Sequence, residues 1–163
     1  MNMDKLFVVE SDNDIGSVVD IGCGDWRIGQ LLDWTGINYV GIDVSRIVLS
    51  SLSRFEEPNV SFRAMDATRD VLPPGDLLIA KDVLQHWSNA AILRFMEQLP
   101  RFRFALITNG FLPQRDGANE DIVDGNWRSL DLKAPPFALA GDYVFAYMAD
   151  EPKRMFLWRN SQA

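Results

Sequence analysis

Small and acidic residues cluster in one short stretch, residues 17–34, SVVDIGCGDWRIGQLLDW. A β-favouring run ends at Asp20, and Gly22, Cys23 and Gly24 then precede a segment with helical periodicity. Glycines lack a Cβ and let a ligand approach the backbone closely. A strand, a small-residue turn and a helix commonly present backbone amides to a ligand. The stretch therefore predicts a ligand-binding corner.

Acidic residues also follow the next two apolar strand patterns. Asp43, followed by Val44, ends the stretch YVGIDVS, at the spacing of a carboxylate that accepts hydrogen bonds from ribose hydroxyls. Asp66 and Ala67 follow the third strand pattern, where a carboxylate and a backbone amide could recognise an adenine edge. Since ligands bind at the carboxyl ends of parallel strands, these positions and Asp20 predict one nucleoside-bearing ligand along a sheet edge.

Two classes of ligand would fit such an edge. A dinucleotide requires G-x-G-x-x-G, but the third glycine here is Gly29, two positions late, and Arg27 stands in its place. Asp20 and Asp25 instead offer negative charge to a cationic ligand without phosphates. S-adenosylmethionine, with its adenosine, sulfonium and amino-acid tail, is the expected ligand. A nicotinamide-dependent oxidoreductase is the less favoured alternative.

Hydrophobic periodicity predicts the elements that position these residues. The predicted strands are 17–21, 38–42, 60–64, 76–80 and 104–108, followed by an antiparallel hairpin of 143–148 and 154–159. The predicted helices are 26–34, 45–56 and 88–99, the last stopped by Pro100. Apolar strands such as DLLIA and FALIT are typical of a parallel sheet covered on both faces. We expect one α/β domain over 1–163, a three-layer, doubly wound and mostly parallel sheet, with a long loop at 110–141 on the substrate side.

The ordered motifs VVDIGCGDW, GIDVS, MDA, DLLIAKDVLQHW and ALITNGF resemble those of class I S-adenosylmethionine-dependent methyltransferases. The final hairpin resembles the reversed seventh strand of that Rossmann-like fold, and the resemblance spans roughly residues 16–160. More narrowly, the chain is similar to a bacterial and viral group of small methyltransferase-domain proteins. The resemblance implies methyl transfer from S-adenosylmethionine, S-adenosylhomocysteine as product, and no metal.

The resemblance also implies roles for individual residues. Lys81 would line the tail of the cofactor through its backbone, and Asp82 and His86 would point toward the transferable methyl. His86 is either a base for the acceptor, since imidazole titrates near neutral pH, or a helix-start residue bonded to a neighbour. Trp26 stands where the common pattern has a glycine, and is either core or a wall for the methionine tail. Cys23 is expected to be a small packing residue, and with Gly22 and Gly24 it stands where the resemblance implies contact with the cofactor.

The loop at 110–141 and the short N-terminus bear on the acceptor. Asp124, Asn126, Arg128 and Asp131 are expected to project from the loop into an acceptor site. Few residues precede the first predicted strand, so the cofactor site would be open, or closed by this loop, a protein partner or a second copy. A binding domain without turnover, or one that depends on another subunit, is the alternative function.

Composition narrows the class of protein. The chain has 163 residues, 47% of them hydrophobic, with one cysteine and a net charge of −7. One cysteine excludes an intrachain disulfide, and a net negative charge disfavours nucleic acid as a partner. Basic residues such as Lys153 are expected on a solvated face. The apolar runs are too short for a membrane span, and the N-terminus is unlike a secretion signal, so a cytoplasmic protein acting on a small molecule is expected.

Overall fold

The protein is built on one mixed sheet, and the computed structural model describes residues 14–112 and 119–162. The strands are β1 (Ser17–Ile21), β2 (Asn38–Asp43), β3 (Val60–Ala64), β4 (Gly75–Lys81), β5 (Phe102–Gly110), β6 (Asp142–Met148) and β7 (Pro152–Arg159). Their order in the sheet is β3-β2-β1-β4-β5-β7-β6. The first five strands are parallel, whereas β7 runs antiparallel to both β5 and β6. The predicted α/β class, with its terminal hairpin, is confirmed.

Two α-helices occur among the described residues, α1 (Arg46–Ser50) and α2 (Asn89–Met96). Short 3-10 turns occupy Gly29–Leu31, Ser53–Phe55, Leu84–His86 and Leu99–Arg101. The predicted helix at 88–99 is confirmed, but it is shorter than predicted and ends at Met96. Its cap is Ser88, whose Oγ accepts a hydrogen bond from the Ala91 amide at 3.3 Å. The N-terminal residues 1–13 and residues 113–118 of the long loop lie outside the described residues.

The predicted helix at 26–34 is wrong. Apart from the 3-10 turn, residues 25–37 are irregular, and Trp26 adopts a left-handed φ of 54°. Two indoles pack onto Gly29: Trp34 Nε1 donates to its carbonyl at 2.8 Å, and a Cβ there would lie 1.9 Å from Trp26 Nε1. The stabilisation from packing both indoles on Gly29 exceeds the preference of this segment for a helix, because tertiary packing overrides local propensity.

The predicted helix at 45–56 is also shorter than expected. Its first turn is α1, in which Ser45 Oγ accepts from the Val48 amide at 3.3 Å. The hydroxyl of Ser51 then donates to the Val48 carbonyl at 2.7 Å, and that of Ser53 donates to the Ser50 carbonyl at 3.2 Å. Serine side chains that bond nearby backbone compete with helix continuation, so the helix ends at Ser50.

The two faces of the sheet are covered in different ways. On one face, Ile92 and Phe95 of α2 share a buried core with Leu130, Leu132 and Phe137. The second half of the long loop therefore contributes to the layer over that face. None of the helices in the described part of the chain is long and apolar enough to cross a membrane.

The opposite face is covered by the irregular segment after the corner. Trp26 and Trp34 pack there with Tyr39 of β2 and with Leu52 beyond α1. This loop takes the place of the predicted first helix, and it leaves part of the sheet beneath it open as a chamber.

Candidate ligand-binding site

The corner after β1 is a tight turn of left-handed residues. Gly22 and Gly24 have φ values of 67° and 55°, the region that glycine tolerates best. The amides of Gly22 and Cys23 donate to the Ile42 carbonyl at 2.7 and 3.1 Å, and a Cβ on Gly22 would lie 2.3 Å from Val83. Because no α-helix starts in residues 25–37, the corner lacks the helix N-terminus that binds pyrophosphate in dinucleotide sites.

Asp43 lies beside this corner at the end of β2. Its Oδ2 accepts a hydrogen bond from the Gly24 amide at 3.1 Å, and its Oδ1 accepts one from the Ser45 amide at 2.8 Å. A carboxylate has about four acceptor positions, so each oxygen keeps capacity for a ligand. Asp43 lines a cavity of about 100 Å³. The same cavity is lined by Gly22, Val44, Asp66, Ala67, Val83 and Trp87.

Asp66 lines that cavity with a carboxylate that is already engaged. Its Oδ1 accepts from both the amide and the hydroxyl of Thr68, at 2.9 and 2.6 Å. Its Oδ2 lies 3.5 Å from Arg69 Nε. The structure therefore brings Asp66 and the buried Ala67 to the predicted nucleoside end. Recognition of adenine by Asp66 stays a prediction.

Asp20, the last polar residue of β1, is held by Tyr39. The phenol, 1% exposed, donates to Asp20 Oδ2 at 2.7 Å. Burial raises the pKa of Asp20 to about 6, although the Tyr39 hydrogen bond and the charge of Lys81 lower it, and Asp43 adds to the rise. Burial and Asp20 also raise the pKa of Tyr39 far above its ordinary value. Tyr39 is thus a permanent donor to Asp20, and sequence analysis missed it.

Cys23 and Trp26 complete the corner. Burial, with the charges of Asp20 and Asp43, raises the pKa of the Cys23 thiol to about 12, so it is not a nucleophile at neutral pH. Trp26 is 6% exposed and makes an edge contact with Phe62, with ring centroids 5.1 Å apart. It belongs to the core, and it also lines a cavity beside the corner. Its two predicted roles are compatible.

Lys81 and Asp82 belong to a cluster of charges at the edge of the sheet. Lys81 Nζ bonds Asp82 Oδ2, and Lys153 of β7 lies 2.8 Å from Asp82 Oδ1 and 2.6 Å from Glu151 Oε1. The expected solvated position of Lys153 is wrong, because its side chain is 4% exposed. Burial would raise the pKa of Asp82, but the bonds and charges of Lys153 and Lys81 outweigh it and lower the pKa.

Asp82 is therefore ionised and paired with two lysines. Its backbone has a left-handed φ of 58°, and its amide donates to the Thr108 carbonyl at 2.8 Å. These contacts join the ends of β4, β5 and β7. A catalytic role for Asp82 stays a prediction, and the geometry describes a residue that holds Lys81 in position.

His86 ends the 3-10 turn at Leu84–His86, between two residues that line the nucleoside cavity, Val83 and Trp87. Its Nδ1 lies 3.0 Å from the Asn126 carbonyl, and its Nε2 lies 3.4 Å from Gln85 Nε2. A carbonyl only accepts, so in the neutral ring Nδ1 carries the proton and Nε2 is the basic nitrogen. The fixed tautomer is compatible with both predicted roles of His86.

The long loop is tied to the protein by its polar side chains. Asp124 Oδ1 accepts from the Ser88 amide at 2.6 Å, at the start of α2. Arg128 is buried and donates to the Trp87 carbonyl at 2.9 Å and to Asn89 Oδ1 at 2.6 Å. Both residues were expected to project toward an acceptor, and both instead hold the loop against α2.

The far end of the loop is anchored on the hairpin. Tyr143 donates to Asp131 Oδ1 at 2.8 Å, and Arg154 lies 3.5 Å from Asp131 Oδ2. The Arg154 guanidinium is also stacked between the rings of Phe111 and Tyr143. Asp131 is thus an anchor, which explains its position without a ligand. Within residues 14–112 and 119–162, no group of three or more His, Cys, Asp or Glu could hold a metal ion.

Comparisons with known proteins identify the fold. No family model matches the chain, and no curated protein matches it. The methyltransferase domain of bacterial CtHen1 is 15% identical, with a TM-score of 0.69 and 97% of each chain covered.

Two further solved structures have the same architecture. N-methyltransferase NodS from Bradyrhizobium japonicum WM9 is 14% identical, with a TM-score of 0.67 over 97% of this chain and 93% of NodS. The N-terminal domain of EvdMO1, crystallised with bound SAH (S-adenosylhomocysteine), is 14% identical, with a TM-score of 0.69 over 96% of this chain and 79% of that one. This chain therefore has the fold of class I S-adenosylmethionine-dependent methyltransferases.

Proposed function

We propose that this protein binds S-adenosylmethionine at the corner after β1 and transfers its methyl group to a small-molecule acceptor. The observation that supports this most is an acidic ligand edge without a helix N-terminus. Asp20 lies near the end of β1, Asp43 ends β2 and Asp66 follows β3, and these three strands are adjacent in the sheet. Such an edge suits a nucleoside with a cationic tail and disfavours a pyrophosphate.

The residues present fit the two ends of this ligand. Asp43, with spare acceptor capacity on both oxygens, would bind the ribose hydroxyls, and the apolar Val44 and Ala67 would contact the base. Asp20, across the corner, would pair with the α-ammonium group. When bound, the cofactor supplies a methyl group already activated by its sulfonium. The contribution of the chain is then alignment of the acceptor, which accounts for much of the rate in such displacements.

We assign His86 as the base for an acceptor that must lose a proton. Its Nδ1–H is fixed by the Asn126 carbonyl, which leaves the lone pair on Nε2. The 3.4 Å contact of this nitrogen with Gln85 Nε2 is long, so an acceptor proton could compete for it.

The same contact supports a second candidate function, a domain that binds the cofactor without turnover. Gln85 is buried, and its Oε1 accepts from the Gly110 amide at 2.6 Å, so its amide nitrogen is directed at His86. A His86 whose ring nitrogens are both bonded inside the protein would have a structural role. Turnover of bound S-adenosylmethionine, assayed against a panel of small acceptors, separates the two functions.

Asp43→Ala tests the cofactor site. S-adenosylhomocysteine should raise the melting temperature of the wild type by mass action, and NAD should not. Loss of charged hydrogen bonds, each worth roughly 1.5–3 kcal/mol, should weaken binding in Asp43→Ala by about tenfold to a hundredfold in calorimetry. Asp142→Ala, at an exposed site on β6, is the matched control and should bind as the wild type does. Unchanged affinity in Asp43→Ala would show that the ligand lies elsewhere.

A further inference from the structure

A chamber of about 340 Å³ lies beneath the irregular loop, next to the corner. Its floor is the sheet: Ile79 of β4, Leu106 of β5 and Met155 of β7 point to the same face. Its roof is the loop itself, which contributes Leu32 and Trp34. Floor and roof are apolar, so the chamber suits a flat or slender apolar group.

Polar groups lie at the side of the chamber nearest the corner. Lys81 and Thr108 are paired in register at the ends of β4 and β5, and Asp20 lies on β1. Asp25 and Arg27 pair with each other at 3.0 Å and are largely exposed. A ligand that fills the chamber therefore meets charged and hydroxyl side chains at one end and carbon atoms over most of its length.

The chamber is preformed. Trp26 and Trp34 both pack on Gly29, where no larger residue fits, and the Trp34 indole is bonded to the Gly29 carbonyl. These contacts fix the height of the roof above the sheet. A rigid apolar cavity binds its ligand without the entropic cost of ordering the walls.

The nucleoside does not account for this volume. The cavity at Asp43, Val44 and Ala67 is a separate space of about 100 Å³, and Gly22 lines both cavities. The amino-acid tail of the cofactor would occupy the part of the chamber near Asp20. The apolar part, over Ile79 and Leu106, is left for another molecule.

We propose that this apolar part binds the body of the methyl acceptor, a small uncharged ring or short aliphatic chain with one nucleophilic group at the Lys81–Thr108 end. The assignment rests on the proposed function. In the transfer, the acceptor heteroatom gives an electron pair to the methyl carbon, the carbon–sulfur pair leaves with sulfur, and the heteroatom proton passes to a base or to solvent. A chamber at the small end of ligand pockets, roughly 300–1,000 Å³, excludes a polymer from its interior.

Binding of 2-naphthol, a fluorescent two-ring phenol, tests the assignment. Wild-type protein should bind it saturably and bind its charged analogue 2-naphthalenesulfonate at least about tenfold more weakly, because Lys81 and Arg27 at the polar end are already paired with carboxylates and the anion loses hydration without gaining an unpaired cation. Ile79→Phe places a ring inside the chamber and should weaken 2-naphthol binding by about tenfold or more. Ile47→Phe, at a side chain that is 85% exposed, is the matched control and should have no effect.

S-adenosylhomocysteine is titrated into the same three proteins. Retained affinity shows that Ile79→Phe is folded, and its weaker binding of 2-naphthol then supports the chamber. If S-adenosylhomocysteine binds but 2-naphthol binds all three proteins equally, or none, the chamber assignment is wrong and the proposed function stands. Equal binding of the sulfonate overturns the uncharged class of acceptor. If wild-type protein fails to bind S-adenosylhomocysteine, the proposed function is wrong and the acceptor assignment fails with it.

Discussion

Asp20 should make cofactor binding depend on pH. Burial raises its pKa from 3.8 to about 6, so between these values the folded chain keeps a proton that the unfolded chain releases. One pKa unit corresponds to about 1.4 kcal/mol, and the shift of roughly two units to about 3 kcal/mol. The stabilisation from this group is therefore complete below about pH 4 and is lost as the pH rises through 6.

A cationic ligand reverses that preference. An α-ammonium group beside Asp20 stabilises the carboxylate and lowers its pKa, so binding below pH 6 must release a proton. The affinity for S-adenosylhomocysteine is expected to rise by up to about tenfold per pH unit from pH 5 and to level off above pH 6. Calorimetric titrations at several pH values between 5 and 8 measure this directly.

Two variants test whether Asp20 is the group that titrates. Asp20→Asn should bind weakly at every pH, with a flat profile, and the ligand-free variant should melt at a higher temperature than the wild type at pH 7. Tyr39→Phe removes a hydrogen bond that lowers the pKa of Asp20, so the midpoint of the profile should move to higher pH. A wild-type slope that persists in Asp20→Asn would refute the reasoning.

Three further changes have defined outcomes. Lys153→Met leaves the partly buried carboxylates of Asp82 and Glu151 without their shared lysine and should lower the free energy of unfolding by about 1–3 kcal/mol; denaturant unfolding measures it, and a neutral result would contradict the structural role of Lys153. Gly29→Ala forces a Cβ into the Trp26 indole and should cost about 1–3 kcal/mol, whereas Gly16→Ala, where a Cβ meets nothing closer than 3.7 Å, should cost less. His86→Ala should reduce single-turnover rates by about 10²–10⁴-fold with unchanged cofactor affinity; a full rate with a lower melting temperature would assign His86 a structural role.

The strands and the acidic edge could be predicted because both follow from local pattern. Apolar runs with turn residues at their ends predict strands, and parallel strands bring their carboxyl ends to one edge. Asp43, Val44, Asp66 and Ala67 accordingly lie at one cavity. The spacing of these residues predicted that they lie close together, but not which groups they hydrogen-bond.

The segment after the corner could not be predicted, because its conformation depends on contacts between side chains. Residues 26–34 have helical periodicity, but their apolar positions serve to bury Trp26 and Trp34 against Gly29. A single glycine in a periodic segment is a weak signal against a helix. The chamber exists because this segment is not a helix, so it could not be predicted from the sequence either.

Partners distant in the sequence account for the other differences. Lys153 is buried because Asp82, at the end of another strand, lies beside it across the sheet. Tyr39 acts on Asp20 from the neighbouring strand. In the sequence, Lys153 is like any surface lysine and Tyr39 is like any core aromatic residue. Only the pairing of the strands shows what each side chain contacts.

A crystal structure of the complex with S-adenosylhomocysteine tests the central claim most directly. We expect the adenosine in the cavity between Val44 and Ala67, with the ribose hydroxyls on the Asp43 carboxylate. We also expect the α-ammonium group within hydrogen-bond distance of Asp20, and an apolar space over Ile79 and Leu106 that the ligand does not fill. A ligand bound away from Asp43, or one whose amino-acid tail fills the apolar part of the chamber, would contradict this claim.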